Sequence, residues 1–286
     1  MIEDPVLVSL DRRREHALTM NAKPIVLASA ALALLLSLGA CKPSGSFPPR
    51  QVQVGGDAPD PGYRAAPQVS GVAKAADGAV TLNGRALPSS QVQMLSLKGV
   101  DTGPIQADGS GAWTAQLGPV SEPALYSLTE KAGGQTVEAE GLIAVLPGAP
   151  TVALLRAGFG AVVVQDARKA PLKILAVDYD MAGATVVSGS APASSPVRVL
   201  VDDQPPAEGA AGPDGRFSLT LPKPLPAGRH RLQAQTPKAL AGVEVALTAP
   251  ALPRSGPYQA QAQSSGWRID WITPGGGAQT TLLLVG

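Results

Sequence analysis

Few side chains in this 286-residue chain can do chemistry, and most of them stand alone. Cys41 is the only cysteine, so it has neither a disulfide partner nor a companion for a thiolate metal site. His16 and His230 are the only imidazoles, and His230 is the obvious candidate for a general base. A serine hydrolase built around it would need a nucleophile motif, yet neither G-x-S-x-G nor S-x-x-K occurs. Asp202-Asp203 and Asp178-Tyr179-Asp180 are carboxylates paired by spacing alone. Both read as solvated acids, because a glycosidase pair must face across a cleft.

Asp108-Gly109 and Asp214-Gly215 have the start of a calcium loop but not its D-x-D-x-D-G continuation, so they read as turns. Gly275-Gly276-Gly277 lacks the Lys-Ser/Thr and helix that follow a phosphate loop, and reads as a hairpin loop. Trp267 and Trp271, four apart, would share one strand face with Ile269 and read as core rather than as a sugar-stacking platform. If the chain carries a ligand or partner surface, it is expected at Arg168, Lys169 and Gly276, where the loops diverge most between two copies of a repeat, and at Trp271, whose repeat partner Val163 is smaller.

That repeat organises everything after residue 69. Val80–Leu95 matches Thr185–Leu200, pairing Gly84 with Gly189, Ser89-Ser90 with Ser194-Ser195 and Val92 with Val197. Ala107-Asp108-Gly109 before Trp113 matches Pro213-Asp214-Gly215 before Phe217, and Gly158-Phe159 through Val177 aligns without gaps on Gly266-Trp267 through Val285. Tyr126 falls opposite His230, so that position carries a bulky amphipathic ring rather than one chemistry and reads as the rim of a core. Phe159, Ala161 and Val163 fall opposite Trp267, Ile269 and Trp271, an apolar set in both copies.

Within each copy, short segments alternate with period two, as in Phe217, Leu219 and Leu221, and Gly- and Pro-rich turns separate them. About seven short strands in about 100 residues predict an Ig-like β-sandwich. The fold class expected is therefore all-β, with two tandem Ig-like sandwiches over 69–178 and 179–286. Leu282, Leu284 and Val285 are expected to complete the last strand of the second.

Upstream, Lys23 precedes a run of about sixteen mostly apolar residues, Ile25 to Ala40, that ends on small residues at Cys41. A basic n-region, an apolar h-region and a small-residue cleavage site make a secretory signal, and the run is short for a bilayer-spanning helix of about 20 residues. Residues 20–40 are thus the expected signal helix, with Met20 the expected start and 1–19 an over-extended N-terminus. Residues 41–68, rich in Pro and Gly, are an expected disordered tether reaching roughly 80 Å when extended at about 3.1 Å per residue.

Leu38-Gly39-Ala40-Cys41 resembles the lipobox of bacterial lipoproteins, a likeness that implies lipidation of Cys41 and a membrane partner. Lys42 is not the aspartate that retains such proteins in the inner membrane of enterobacteria, so the resemblance implies a periplasm-facing position on the outer membrane. The A-D-G-x-G-x-W and P-D-G-x-F segments, with Leu225-Pro226-Ala227-Gly228-Arg229-His230, resemble the tandem bacterial Ig-like modules of envelope proteins. That likeness implies the fold and an extracytoplasmic setting. With no persuasive active site among its residues, the chain is expected to be a non-enzymatic scaffold or binding module for an envelope protein or glycan, without a cofactor. The chain carries 23 basic and 22 acidic residues with no basic stripe, which gives nucleic acid no electrostatic reason to bind.

Overall fold

The computed structural model describes residues 64–149, 151–165 and 171–285. The expected signal segment, Cys41, the expected tether up to residue 63, Arg168 and Lys169 lie outside the described residues.

The first sandwich opens with β1 (Gln68–Lys74), β2 (Ala79–Arg85), β3 (Gln91–Ser96) and β4 (Asp101–Gln106). It continues through β5 (Ala112–Pro119), β6 (Ala124–Ala132) and β7 (Gln135–Glu138). One sheet runs β1-β2-β5, and in the opposing sheet β4, β3 and β6 are successive neighbours with β7 on the far side of β6. The second sandwich repeats this order with β11 (Lys173–Asp180), β12 (Thr185–Ser190) and β15 (Arg216–Thr220) in one sheet. Its other sheet runs β14 (Ala207–Ala210), β13 (Pro196–Val201), β16 (Gly228–Thr236), β17 (Ala239–Leu247). All ladders are antiparallel, and a three-plus-four split with this strand order is an Ig-like β-sandwich.

Each sandwich buries its own core. Val80, Leu82, Val92, Met94, Trp113 and Leu128 lie in the first, and Val187, Val197, Val199, Phe217 and Leu232 in the second. The duplication extends to backbone detail. Ser89 and Ser194, equivalent in the repeat, both take the left-handed conformation at φ 56° and 59°. The residue after each donates its N–H to the carbonyl two residues before that serine, Leu87 and Pro192.

Three further strands follow each sandwich. After the first come β8 (Leu142–Val145), β9 (Val152–Leu155) and β10 (Val162–Val163), which extend the sheet in the order β6-β8-β9-β10. After the second come β18 (Tyr258–Gln263), β19 (Gly266–Ile272) and β20 (Ala278–Leu284), which extend the opposite sheet in the order β11-β20-β19-β18. These two extended sheets pack face to face around a third core containing Leu125, Leu146, Leu155, Ile269, Trp271 and Leu283. Four sheets are therefore stacked with three apolar layers between them. Each large aliphatic side chain contributes about 1.5–3 kcal/mol on burial, so the middle layer joins the sandwiches into one compact unit.

The stacking explains the leucine run at the end of the chain. β20 is buried on both faces, with Leu282 and Leu284 entering the second core and Leu283 the third. In β11 a register shift between Ile174 and Ala176 turns Leu175 and Ala176 together into the third core, while Ile174 and Val177 enter the second. The equivalent strand β1 carries the same irregularity between Val69 and Gly71. Ser70 and Gly71 occupy the places of Leu175 and Ala176 there, and no third core covers them. The expected division between residues 178 and 179 falls inside β11, all of which pairs with β12 and β20 as the first strand of the second sandwich.

Candidate functional site

His230 lies at the start of β16, at the corner where the chain crosses from one sheet of the second sandwich to the other. It is 7% exposed, and both ring nitrogens are engaged: Nδ1 lies 2.7 Å from Asp202 Oδ2 and Nε2 lies 2.8 Å from the Pro226 carbonyl. A carbonyl only accepts, so Nε2 is the nitrogen that donates to Pro226, while Nδ1 is held against the Asp202 carboxyl. The other Asp202 oxygen accepts the Arg231 N–H at 3.0 Å. The hydrogen bond from His230, followed by that from Arg231, holds the Asp202 carboxyl below the ordinary aspartate range. This cluster resembles a catalytic dyad in composition, but both ring nitrogens are committed to partners within the fold. It fastens the corner, as the hydroxyl of a tyrosine corner does in other sandwiches.

The first sandwich closes its corner differently. Tyr126, the counterpart of His230, packs beside the first core, and the Tyr258 hydroxyl from β18 donates to the Pro123 carbonyl at 3.1 Å. The extension of one sandwich thus supplies the corner hydrogen bond of the other.

Two buried polar clusters escaped the sequence reading. Asp178, expected as a solvated acid, is 2% exposed within β11. Its Oδ2 accepts the Ala161 N–H at 2.7 Å, and its Oδ1 accepts from Thr281 Oγ1 at 2.6 Å and Gln279 Nε2 at 3.1 Å. Burial pushes its pKa up to about 6 despite these donors. On the opposite face of the same sheet, Arg268 grips Asp270 with two hydrogen bonds of 2.8 and 2.7 Å. Arg268 also donates to the Tyr179 hydroxyl at 2.9 Å and to Thr248 Oγ1. Burial opposes the charged guanidinium, but the hydrogen bonds to Asp270 raise its pKa above the ordinary arginine value. Tight alternation in β19 hid this pair, since Arg268 and Asp270 alternate with Trp267, Ile269 and Trp271.

The surface expected at Trp271, Arg168, Lys169 and Gly276 is not assembled by the described residues. Trp271 is 1% exposed in the third core and its Nε1 donates to Thr281 Oγ1 at 3.1 Å, so it cannot stack on a ligand. Gly276 sits in an exposed turn at φ 81°, where its N–H donates to the Thr273 carbonyl at 2.8 Å. Trp113 is buried in the first core, and Trp267 packs against the third. Phe159, expected to pack as its repeat partner does, is instead 72% exposed, because its loop turns outward between β9 and β10. The Asp108 turn forms as expected: Oδ1 accepts from the Ser110 and Ala112 N–H groups and the Ser110 hydroxyl. The side-chain bond from Ser110 leads in lowering its pKa.

A small cavity of about 190 Å³ opens between the sandwiches, floored by Leu128, Ile143 and Leu154. Its two arginines are already committed: Arg216 to Asp214 and the Gln165 carbonyl, Arg156 to the Gly160 and Phe159 carbonyls.

No family model and no curated protein matches the sequence. Among solved structures the chain is similar to the BSP domain of a biofilm-associated protein, at 15% identity and a TM-score of 0.24, over 65% of this chain and 30% of that one. It is similar to the central fibronectin-III array of RIM-binding protein at 14% identity and a TM-score of 0.25, over 72% and 71% of the two chains. It is also similar to InvD of Yersinia pseudotuberculosis at 16% identity and a TM-score of 0.20, over 72% and 67%. The chain thus spans less than a third of the first of these structures. The sandwich assignment stands on the strand order and packing described above.

Proposed function

We propose that this chain is a non-enzymatic bacterial lipoprotein of the cell envelope, attached through lipid on Cys41 and carrying its two sandwiches on the tether as a rigid binding or spacing scaffold. The observation that carries the reading is the Leu38-Gly39-Ala40-Cys41 segment directly after an apolar run of signal length. The folded part supports a scaffold role: its only histidine is consumed in fastening a corner, and a third core locks the sandwiches together. Lys42 favours outer-membrane residence, with the sandwiches in the periplasm and an envelope protein as the partner. A glycan partner is less well supported, since Trp113 and Trp271 face inward.

Expression in a bacterium with a clickable palmitate analogue tests the reading. The chain should fractionate with membranes and incorporate label, and Cys41→Ser should abolish labelling and release or stall the protein. Labelling that persists in Cys41→Ser, or an unlabelled wild-type chain in the soluble fraction, overturns it.

A further inference from the structure

Four stacked sheets leave several edge strands, each with a row of unpaired backbone groups. Open edges invite strand addition, and proteins usually blunt them with charge, proline, irregularity or shortness. Most edges here are blunted in these ways. β1 has Lys74 and a register shift, β4 has Asp101 and Pro104, β5 ends on Pro119, and β10 is two residues long. β14 has Glu208, β15 has Arg216, and β17 has Glu244 near its middle. β18 has none of these devices: Tyr258-Gln259-Ala260-Gln261-Ala262-Gln263 is uncharged, free of Pro and Gly, and in unbroken register with β19.

The ladder shows which of its groups are free. Ile272 N–H donates to the Pro257 carbonyl, so the hydrogen-bonded pairs with β19 continue at Gln259, Gln261 and Gln263. The N–H and C=O groups of Tyr258, Ala260 and Ala262 therefore point away from the sheet. Among the described residues those of Ala260 and Ala262 meet no partner.

We infer that β18 is a self-association edge, on which a second copy of this chain pairs antiparallel about a two-fold axis at Ala260. The sequence is complementary to itself in that register. Ala260 faces Ala260 of the second copy, Tyr258 faces Ala262, and all six outward N–H groups of the two strands find carbonyls. On the other face Gln259 lies opposite Gln261 in a close, non-hydrogen-bonded pair, where the two amides bond to each other. No charge opposes another across the axis. The pairing joins two six-stranded sheets into one of twelve. It goes beyond the anchoring proposed above and does not depend on it.

Sedimentation of the purified full chain over a dilution series tests this. A reversible dimer is expected for the wild type. Ala260→Pro removes only an outward N–H, leaves the β19 ladder whole, and should weaken self-association about tenfold or more with an unchanged melting temperature. Should that variant fold poorly, surface changes read the same register. Gln259→Lys with Gln261→Lys sets like charges opposite and should give monomers, whereas Gln259→Lys with Gln261→Glu sets opposite charges and should keep the dimer. A wild-type chain that is monomeric at every concentration overturns the inference. So does a dimer equally strong in the Lys/Lys variant.

Discussion

Asp178 and Ala161 are joined by a 2.7 Å hydrogen bond from a backbone N–H to a fully buried carboxylate. The bond ties the chain just before β10 to the first strand of the second sandwich, so the acid sits at the joint between the two. Its folded-state pKa of about 6 lies above the 3.8 of an unperturbed aspartate. The folded state therefore binds the proton more tightly than the unfolded state. The resulting stability is complete below about pH 4 and is lost as pH rises through 6, a loss of about 3 kcal/mol for a shift of about two units. Urea denaturation of wild type and Asp178→Asn at pH 4, 5, 6 and 7 should show the wild type losing ground to the variant as pH rises. A difference constant across that range would remove Asp178 as the source.

Tyr258 donates to the Pro123 carbonyl across the same joint. Tyr258→Phe keeps the ring in the third core and deletes only that bond, which costs about 1 kcal/mol. For a unit of this size the melting temperature should fall by about 2–4 °C. An unchanged melt would mean that the corner of the first sandwich does not need the hydroxyl.

How far this architecture can be read in the sequence depends on what each residue faces. Alternation in β15 and β16 and the repeated Asp-Gly turns are local signals, and they correctly indicate two sandwiches. The third core is not local. Leu175-Ala176 and Leu282-Leu283-Leu284 look like ordinary apolar strands until a second sheet is known to cover them. Repeat logic misleads where the copies differ in neighbours: Trp267 has a sheet to pack against, while its partner Phe159 has solvent. Glu130 is a further case. It is fully buried in β6, where its Oε2 accepts the Leu87 N–H at 2.9 Å, and nothing in its flanking residues signals that role.

The contrast between Trp271 and Phe159 makes a paired test. Trp271→Ala empties a site 1% exposed and should cost about 3–5 kcal/mol, whereas Phe159→Ala at 72% exposure should change stability by no more than about 0.5 kcal/mol. Chemical denaturation of the two variants checks both values. A stable Trp271→Ala protein would place that ring outside the core and reopen it as a surface residue.

Deleting residues 279–286 tests the role of β20 most severely. The truncation takes Leu282 and Leu284 from the second core and Leu283 from the third, and it unpairs β11 and β19 at once. It also strips Asp178 of Gln279 and Thr281, leaving a buried carboxylate with the Ala161 N–H alone. Each buried leucine lost costs about 2–5 kcal/mol. Three of them, with two ladders, exceed the roughly 5–15 kcal/mol that holds a typical domain folded. Circular dichroism and limited proteolysis should find the second sandwich unfolded. The first keeps β1–β7 and its own core but loses the cover over Leu125 and Leu155, so any surviving fragment should be cleaved beyond β8. A truncated chain that unfolds at the wild-type midpoint would mean that β20 lies outside the cooperative unit.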